Sequence, residues 1–362
     1  MFKDIIGQEQ AIAVLKNAVT SERLPGTYLF TGPASVGKST AARAMAQALN
    51  CTGERDDLSD GCGACYSCKA IAEGTQPDVR SAAPSGPSRM LRIPQFWPRD
   101  GVKDHPADRA MLRDLHYAPV RSKKRVFIIE ETEAFNDDTA NSLLKVLEEP
   151  PPYALFILTA TSEGSVLPTI ASRSQTVRFR RIDIPTIESI IAQKPGVDAD
   201  HARFFASYSE GQIGVALRMV ETPGLIAVRE TILDIASDLT GGAPQIQAFK
   251  IADELRKAAD KSLGKKDETS EGPRTALTRA IDMLLLWYGD LLRIRVAPES
   301  ASLVNRDRSS QMHMHAPHFE AESLRQAARI LLDTRRYIER NANAQVALEA
   351  AAMQLLSLPR AR

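Results

Sequence analysis

Eight residues from Gly32 to Ser39, GPASVGKS, constrain the fold of this chain more than any other stretch. They follow the apolar run Tyr28-Leu29-Phe30 and precede the alanine-rich run Ala41 to Leu49, giving a strand, a glycine loop and a helix N-terminus in that order. Such a loop turns its backbone N–H groups inward on a phosphate, with the helix dipole behind them. Lys38 then reaches the β- and γ-oxygens, and the Ser39 hydroxyl can ligate Mg²⁺. The loop can only work at the end of a buried parallel strand, so an α/β sheet with helices on both faces is expected around it. A nucleoside triphosphate with Mg²⁺ is the ligand this pattern can hold, and holding it does not imply hydrolysing it.

At 362 residues the chain exceeds the usual span of one core, and two or three domains are expected. Lys plus Arg number 46 against 45 Asp plus Glu, which argues against a protein that coats nucleic acid by bulk charge and leaves only focused patches. The one basic run, Arg121-Ser122-Lys123-Lys124-Arg125, reads as the solvated end of a strand, with a phosphodiester contact as the alternative. The N-terminal MFKDIIGQEQ has no apolar core of a signal sequence and no run reaches membrane-span length, so a cytoplasmic protein with no membrane partner is expected.

Residues 1–181 read as α/β, because the apolar runs TYLF, RVFIIE, ALFILTA and TVRF alternate with helical patterns such as Asp137 to Glu149. Between Pro77 and Pro106 six prolines and no periodicity predict an irregular excursion, in which Phe96 and Trp97 serve as packing anchors or as an interaction hook. From residue 182 the chain turns helical. A short unit over 182–224 contains SEGQIGVALRMVE, and a longer helical region follows over 225–362. The stretch from Arg256 to Pro273 reads as a solvated linker, and the apolar stripes around LLLWYGDLL and from Glu320 to Leu358 call for partner helices.

Three further constellations carry chemistry. The strand Val126 to Ile129 ends in Glu130-Glu131, placing acids where a nucleotide site manages Mg²⁺ and an attacking water. Asp is the usual first acid there; the extra methylene of Glu130 displaces the carboxylate by on the order of 1.5 Å, and Mg²⁺ demands near-octahedral geometry at about 2.1 Å. All four cysteines, Cys51, Cys62, Cys65 and Cys68, fall in one CxxCxxC-containing cluster. Four thiolates make a closed tetrahedral shell, so structural Zn²⁺ is expected; disulfides and an iron–sulfur cluster are the alternatives. None of the six histidines joins this set. Finally, LPTIASRSQ places Arg173 in a polar turn, either as a helix-capping surface residue or as a finger reaching a phosphate on a neighbouring chain.

Taken together, DIIGQEQA, LFTGPASVGKST, the cysteine cluster, VFIIEETEAFNDDTANSLLKVLEEPPPYALFILTAT, LPTIASRSQ and SEGQIGVAL resemble the AAA+ subunits of bacterial clamp loaders, motif by motif over roughly the first 220 residues. Within that family the pattern is most similar to the delta-prime type of DNA polymerase III. The resemblance implies an AAA+ domain at 1–181 with a zinc module at 51–68, a helical lid at 182–224 and a helical collar for oligomerisation at 225–362. It implies that Gly32, Gly37, Lys38, Ser39 and Thr40 form the phosphate loop, with Glu130 and Glu131 the second acidic motif and Thr161 the first sensor. Arg173 would be a trans arginine finger for an adjacent motor subunit.

Three departures are visible: Glu130 for Asp, Ser174 for the cysteine of the family's Ser-Arg-Cys motif, and Gly214 where motor subunits carry a second sensor arginine. They imply a weak or absent ATPase. The implied partners are tau/gamma motor subunits and a delta subunit in a hetero-pentamer, the sliding clamp, and primer–template DNA through the complex. The competing readings are a catalytically active tau/gamma-like motor, a branch-migration helicase of the same superfamily, and a small-molecule kinase.

Overall fold

In a computed structural model, residues 1–21, 24–85, 89–97, 110–261, 272–300 and 302–361 are described. They fall into two compact units, Met1–Asp183 with Gln212–Gly214, and Ile184–Gly211 with Val215–Arg362.

The first unit is built on five parallel strands: β1 (Thr27–Thr31), β2 (Val79–Ala82), β3 (Arg125–Ile129), β4 (Ala154–Ala160) and β5 (Gln175–Arg178), in the order β2-β3-β4-β1-β5. β1, β3 and β4 are buried at every position, which is why they read in sequence as unbroken apolar runs. Its helices are α1 (Glu9–Thr20), α2 (Lys38–Asn50), α3 (Tyr66–Ala72), α4 (Asp137–Glu148) and the single turn α5 (Pro168–Ala171). Two apolar layers cover the sheet. One contains Leu15 of α1, Met45 of α2 and Phe30 of β1, and the other Leu143 and Leu147 of α4 with Phe127 and Phe156, whose rings stack at 5.0 Å.

The irregular segment expected from Pro77 onward is corrected at its start, because β2 forms there and pairs with β3. Only Ala82 of its four residues is buried, so an edge strand of this kind carries no periodic signal. Phe96 is fully buried against Phe135, with ring centroids 5.8 Å apart, and Trp97 packs on the same layer; both are anchors. Residues 86–88 and 98–106 of that excursion lie outside the described residues.

The basic run is likewise divided by the fold. Arg125 is buried and donates to Asp78 Oδ1 at 3.3 Å, Lys124 Nζ donates to Pro152 O, and Arg121 lies over the Tyr66 ring. Asp78, itself fully buried, accepts from the amides of Val120, Arg121 and Ser122 at 2.8–3.1 Å and so ties the segment before β3 to the start of β2.

The second unit is helical: α6 (Ile184–Ile191), α7 (Ala199–Tyr208), α8 (Ile213–Glu221), whose first residues group with the first unit, α9 (Leu225–Gly241), α10 (Ala248–Lys261), α11 (Pro273–Val296), α12 (Ser309–His315), α13 (Ala321–Glu339) and α14 (Ala344–Leu356). α10 runs on to Lys261, so the expected linker from Arg256 is helical over its first six residues; Ala258 and Ala259 are buried and hold that turn down. Residues 262–271 lie outside the described residues. On α11, Trp287, Tyr288 and Leu291 are buried, and helices α9, α10, α11, α13 and α14 supply Leu239, Leu255, Leu284, Leu331 and Leu355 to one apolar centre. Arg229 is buried in this unit, paired to both oxygens of Asp307 at 2.7–2.8 Å, bonded to Asn305 and stacked 4.5 Å above the Phe204 ring. Among the described residues no helix is long and apolar enough to cross a membrane.

Burial works against the Asp78 charge, but the amides of Arg121 and Val120, the Ser122 side chain and Arg125 outweigh it and hold the carboxyl below the usual aspartate range. A lowered folded-state pKa means stabilisation present above the unfolded value of about 3.9 and lost as pH falls through the folded one. Asp78→Asn is expected to destabilise the chain by about 3 kcal/mol at pH 7, since it strands buried Arg125. Urea denaturation of both proteins from pH 7 to 3.5 checks this, and the gap should narrow below about pH 4.

Candidate functional site

The register of the parallel strands decides what the site contains. Thr31 pairs with Ala160 and Ile129 with Leu158, so the residues that leave β1, β3 and β4 emerge along one edge of the sheet. These are the phosphate loop, Glu130 with Glu131, and Thr161.

Gly32 opens the loop at φ 144°, where a Cβ would stand 2.3 Å from the carbonyl oxygen of Phe179, so no side chain fits. Its amide donates to Ala160 O at 3.2 Å. Ser35 takes a left-handed φ of 56°, and Gly37 at φ 103° turns the chain into α2, whose first residues are Lys38, Ser39 and Thr40. Lys38 is largely buried, and its ammonium donates to the carbonyls of Gly32 and Pro33 at 2.6 Å each. Desolvation lowers its pKa, opposed by the carboxylates of Glu133, Glu131 and Glu130.

Glu130 accepts from Ser39 Oγ at 2.7 Å and from Arg43 Nη2 at 3.2 Å. The longer side chain therefore still joins the acidic motif to the serine of the phosphate loop. Glu131 stands in a left-handed conformation, φ 55°, and both its oxygens accept from Arg89 Nη2 at 2.8–2.9 Å. Ser35 within the loop and Glu131 beside it are two of the five described non-glycine residues in the left-handed region. Thr161 is held by two bonds: its amide donates to Glu133 Oε1 at 3.2 Å, and its hydroxyl meets Ser165 Oγ at 3.3 Å.

Glu133 was not singled out from the sequence, although its position three residues beyond Glu130 places it beside the same lysine. It also lines a pocket of about 290 Å³ with Thr132, Asp137 and Ser165. Gly214 lends only its amide, which donates to Ser35 O at 2.9 Å. Arg173 lies apart from this cluster in the hydrogen-bond pattern: it pairs with Glu148 at the end of α4, its Nη1 donates to Thr169 O at 2.7 Å, and about a third of its side chain is exposed.

The cysteines are brought together as a second centre. Cys51 caps the C-terminus of α2, Cys65 caps the N-terminus of α3, and Cys68 lies in the first turn of α3. All four sulfurs lie within 4.8 Å of one another, with Cys51 and Cys65 4.0 Å apart. Four thiolates around one ion at about 2.3 Å stand about 3.8 Å from each other, so this set fits a tetrahedral metal. The thiols are free, and the amides of Cys62, Cys65 and Cys68 donate to the sulfurs of Cys51, Cys62 and Cys65 at 3.3–3.4 Å.

Such bonds favour the charged sulfur. Those from the Cys65 and Ala64 amides lower the Cys62 pKa, and although burial raises that of Cys65, the Cys68 and Thr52 amides bring it down to about 5. Burial pushes Cys68 up to about 12. Gly53 is required beside the cluster, since a Cβ there would lie 2.7 Å from the Cys62 sulfur.

The sequence is similar to several DNA polymerase III subunits. Residues 7–183 match the family described as DNA polymerase III, delta subunit. The DNA polymerase III subunit tau of Bacillus subtilis is 30% identical over 312 residues, 82% of this chain and 51% of that protein. The DNA polymerase III subunit gamma of Buchnera aphidicola is 28% identical over 72% of this chain and 69% of its own length. A gamma subunit-related protein from Thermotoga maritima covers 96% of this chain at 17% identity, with a TM-score of 0.44. The chain thus spans about half the length of the Bacillus relative, and these two relatives carry tau and gamma names.

One thiophilic divalent ion per chain is the expected outcome of elemental analysis on protein purified without added metal. Cys68→Ser should abolish it, since three ligands leave the shell open; a full complement retained by that variant would contradict the assignment.

Proposed function

We propose that this chain belongs to the DNA polymerase III clamp-loader family, whose delta-subunit description matches residues 7–183, and that it is a delta-prime-like subunit, one that helps load the sliding clamp onto primed DNA without itself being a motor. Its partners in that role are tau/gamma motor subunits and a delta subunit in a pentameric ring, with the second unit supplying lid and collar. Primer–template DNA is reached through the assembled complex.

The observation that carries the reading is the state of the two acids. Glu131, where a motor activates water, accepts at both oxygens from a single Arg89 nitrogen, and Glu130, one methylene too long for a well-placed Mg²⁺, already spans Ser39 and Arg43. Lys38 keeps the loop competent to bind a nucleotide, while Gly214 offers no side chain to sense a γ-phosphate. The tau and gamma names of the relatives favour a second reading, an active tau/gamma-like ATPase, and turnover by the isolated chain separates the two. Zn²⁺ is the proposed ion of the four-cysteine centre, with a structural role because no coordination position is left open.

In this role Arg173 serves the ATP site of the neighbouring motor subunit. Its guanidinium is planar and permanently charged, and its pairing with exposed Glu148 costs little to exchange for a phosphate. Arg173→Ala is expected to leave folding, metal content and ring assembly intact while slowing clamp loading by the reconstituted complex at limiting ATP. An arginine finger is worth ~10³-fold at its own site, diluted here because the other sites keep theirs. An unchanged loading rate would make Arg173 a surface residue only.

A further inference from the structure

The four-cysteine centre and the phosphate loop sit at opposite ends of α2, about 20 Å apart for thirteen residues of helix, yet a second connection joins them. Asp60, two residues before Cys62 and 6% exposed, lies in a stretch, 52–61, that forms no helix or strand. Its Oδ1 accepts from the amides of Phe2 at 2.9 Å and Gly61 at 2.7 Å, and its Oδ2 from the amide of Lys3 at 3.2 Å.

Phe2 is 1% exposed and shares an apolar cluster with Val36 of the phosphate loop. Ile5 reaches to within 3.5 Å of where a Gly37 Cβ would stand. Gly7, at φ 67°, turns the segment tightly against Ile182, and Gln8, 4% exposed, donates from one amide nitrogen to Val36 O at 3.3 Å and to Arg180 O at 2.7 Å. Residues 2–8 are therefore fastened to the cysteine loop at one end and to the phosphate loop at the other.

We propose that Asp60 is a positioning residue for the phosphate loop, through which metal occupancy of the cysteine centre sets how firmly residues 32–37 are held. The physical argument is one of local order. The 52–61 stretch is fixed at its flanks by Cys51 and Cys62 and within by Arg55, which donates to Ala48 O and Asp60 O. Without an ion the sulfurs lose the only partner that holds all four, the stretch gains freedom, and the carboxylate that orders Phe2 and Lys3 moves with it. The N-terminal segment then loses its anchor and Val36 a packing neighbour, lowering the local opening free energy of the loop without unfolding the sheet.

Hydrogen exchange on the full chain, loaded with Zn²⁺ and then stripped by chelation under reducing conditions, tests this. The expected result is that stripping speeds exchange of the Phe2 and Lys3 amides and of the phosphate-loop amides by about tenfold, with β4 amides unchanged. In Asp60→Asn the loop amides should already exchange at the fast rate with metal bound, and stripping should add nothing. Gln8→Ala, which cuts the other end of the segment and leaves the cysteine loop untouched, should behave the same way and serves if Asp60→Asn does not fold. Acceleration confined to residues 51–68, or loop acceleration on stripping that is as large in Asp60→Asn as in the native chain, would overturn the proposal; the latter would mean that α2 carries the effect. These amides report the relay whether or not nucleotide is hydrolysed, so its failure is separate from any failure of the clamp-loader reading.

Discussion

Everything at the candidate nucleotide site depends on the in-register pairing of β1 with β4 and of β4 with β3. Because these three strands are parallel and buried on both faces, their C-terminal ends are forced to one edge, and the loop, the acids and Thr161 must meet there. The pairing also sets the limit on side chains. Gly32 carries none because the Phe179 carbonyl, brought in as β5 pairs with β1, occupies the place of a Cβ. A shift of one residue in β1 would turn its buried side chains to the opposite face of the sheet and dismantle the site without altering any of its residues.

The site is most notable for the partners its charges already have. Glu130 meets Ser39 and Arg43, Glu131 meets Arg89, Lys38 meets two carbonyls, and Arg173 meets Glu148. The Arg89–Glu131 and Arg173–Glu148 pairs are substantially exposed and of the kind worth about 1 kcal/mol or less, so they bias positions and do not lock them. By contrast, the buried pair Asp78–Arg125, and buried Arg229 with its more exposed partner Asp307, belong to the framework, each fastening an irregular segment to regular structure.

Much of this was legible in the sequence, for physical reasons that also explain the exceptions. Buried parallel strands read as apolar runs, so β1, β3 and β4 were foreseen; the edge strand β5 was foreseen only from the run TVRF, in which Val177 and Phe179 are buried, and β2 was not, because a half-exposed edge strand of four residues has neither period nor apolar density. The cysteine cluster was legible because its ligands lie within eighteen positions of one another, and the structure gathers all four. The partners of the acids were not legible, since Arg89 meets Glu131 across 42 positions and Glu148 meets Arg173 across 25. Glu133 was missed because a third acid beside two others looks like solvated charge until the strand end places it near Lys38. The alanines that extend α10 to Lys261 were masked by the charged residues around them.

The central claim is that this chain holds a nucleotide without turning it over, and single-turnover hydrolysis measured on the isolated protein with Mg²⁺ tests it most directly. Bound ATP should be recovered intact over many minutes, with binding lost in Lys38→Ala, since on the proposed reading the lysine would reach the phosphates while Glu130 and Glu131 stay engaged by Ser39, Arg43 and Arg89. Hydrolysis at a motor-like rate that disappears in Lys38→Ala would contradict the account and make this chain an active clamp-loader ATPase.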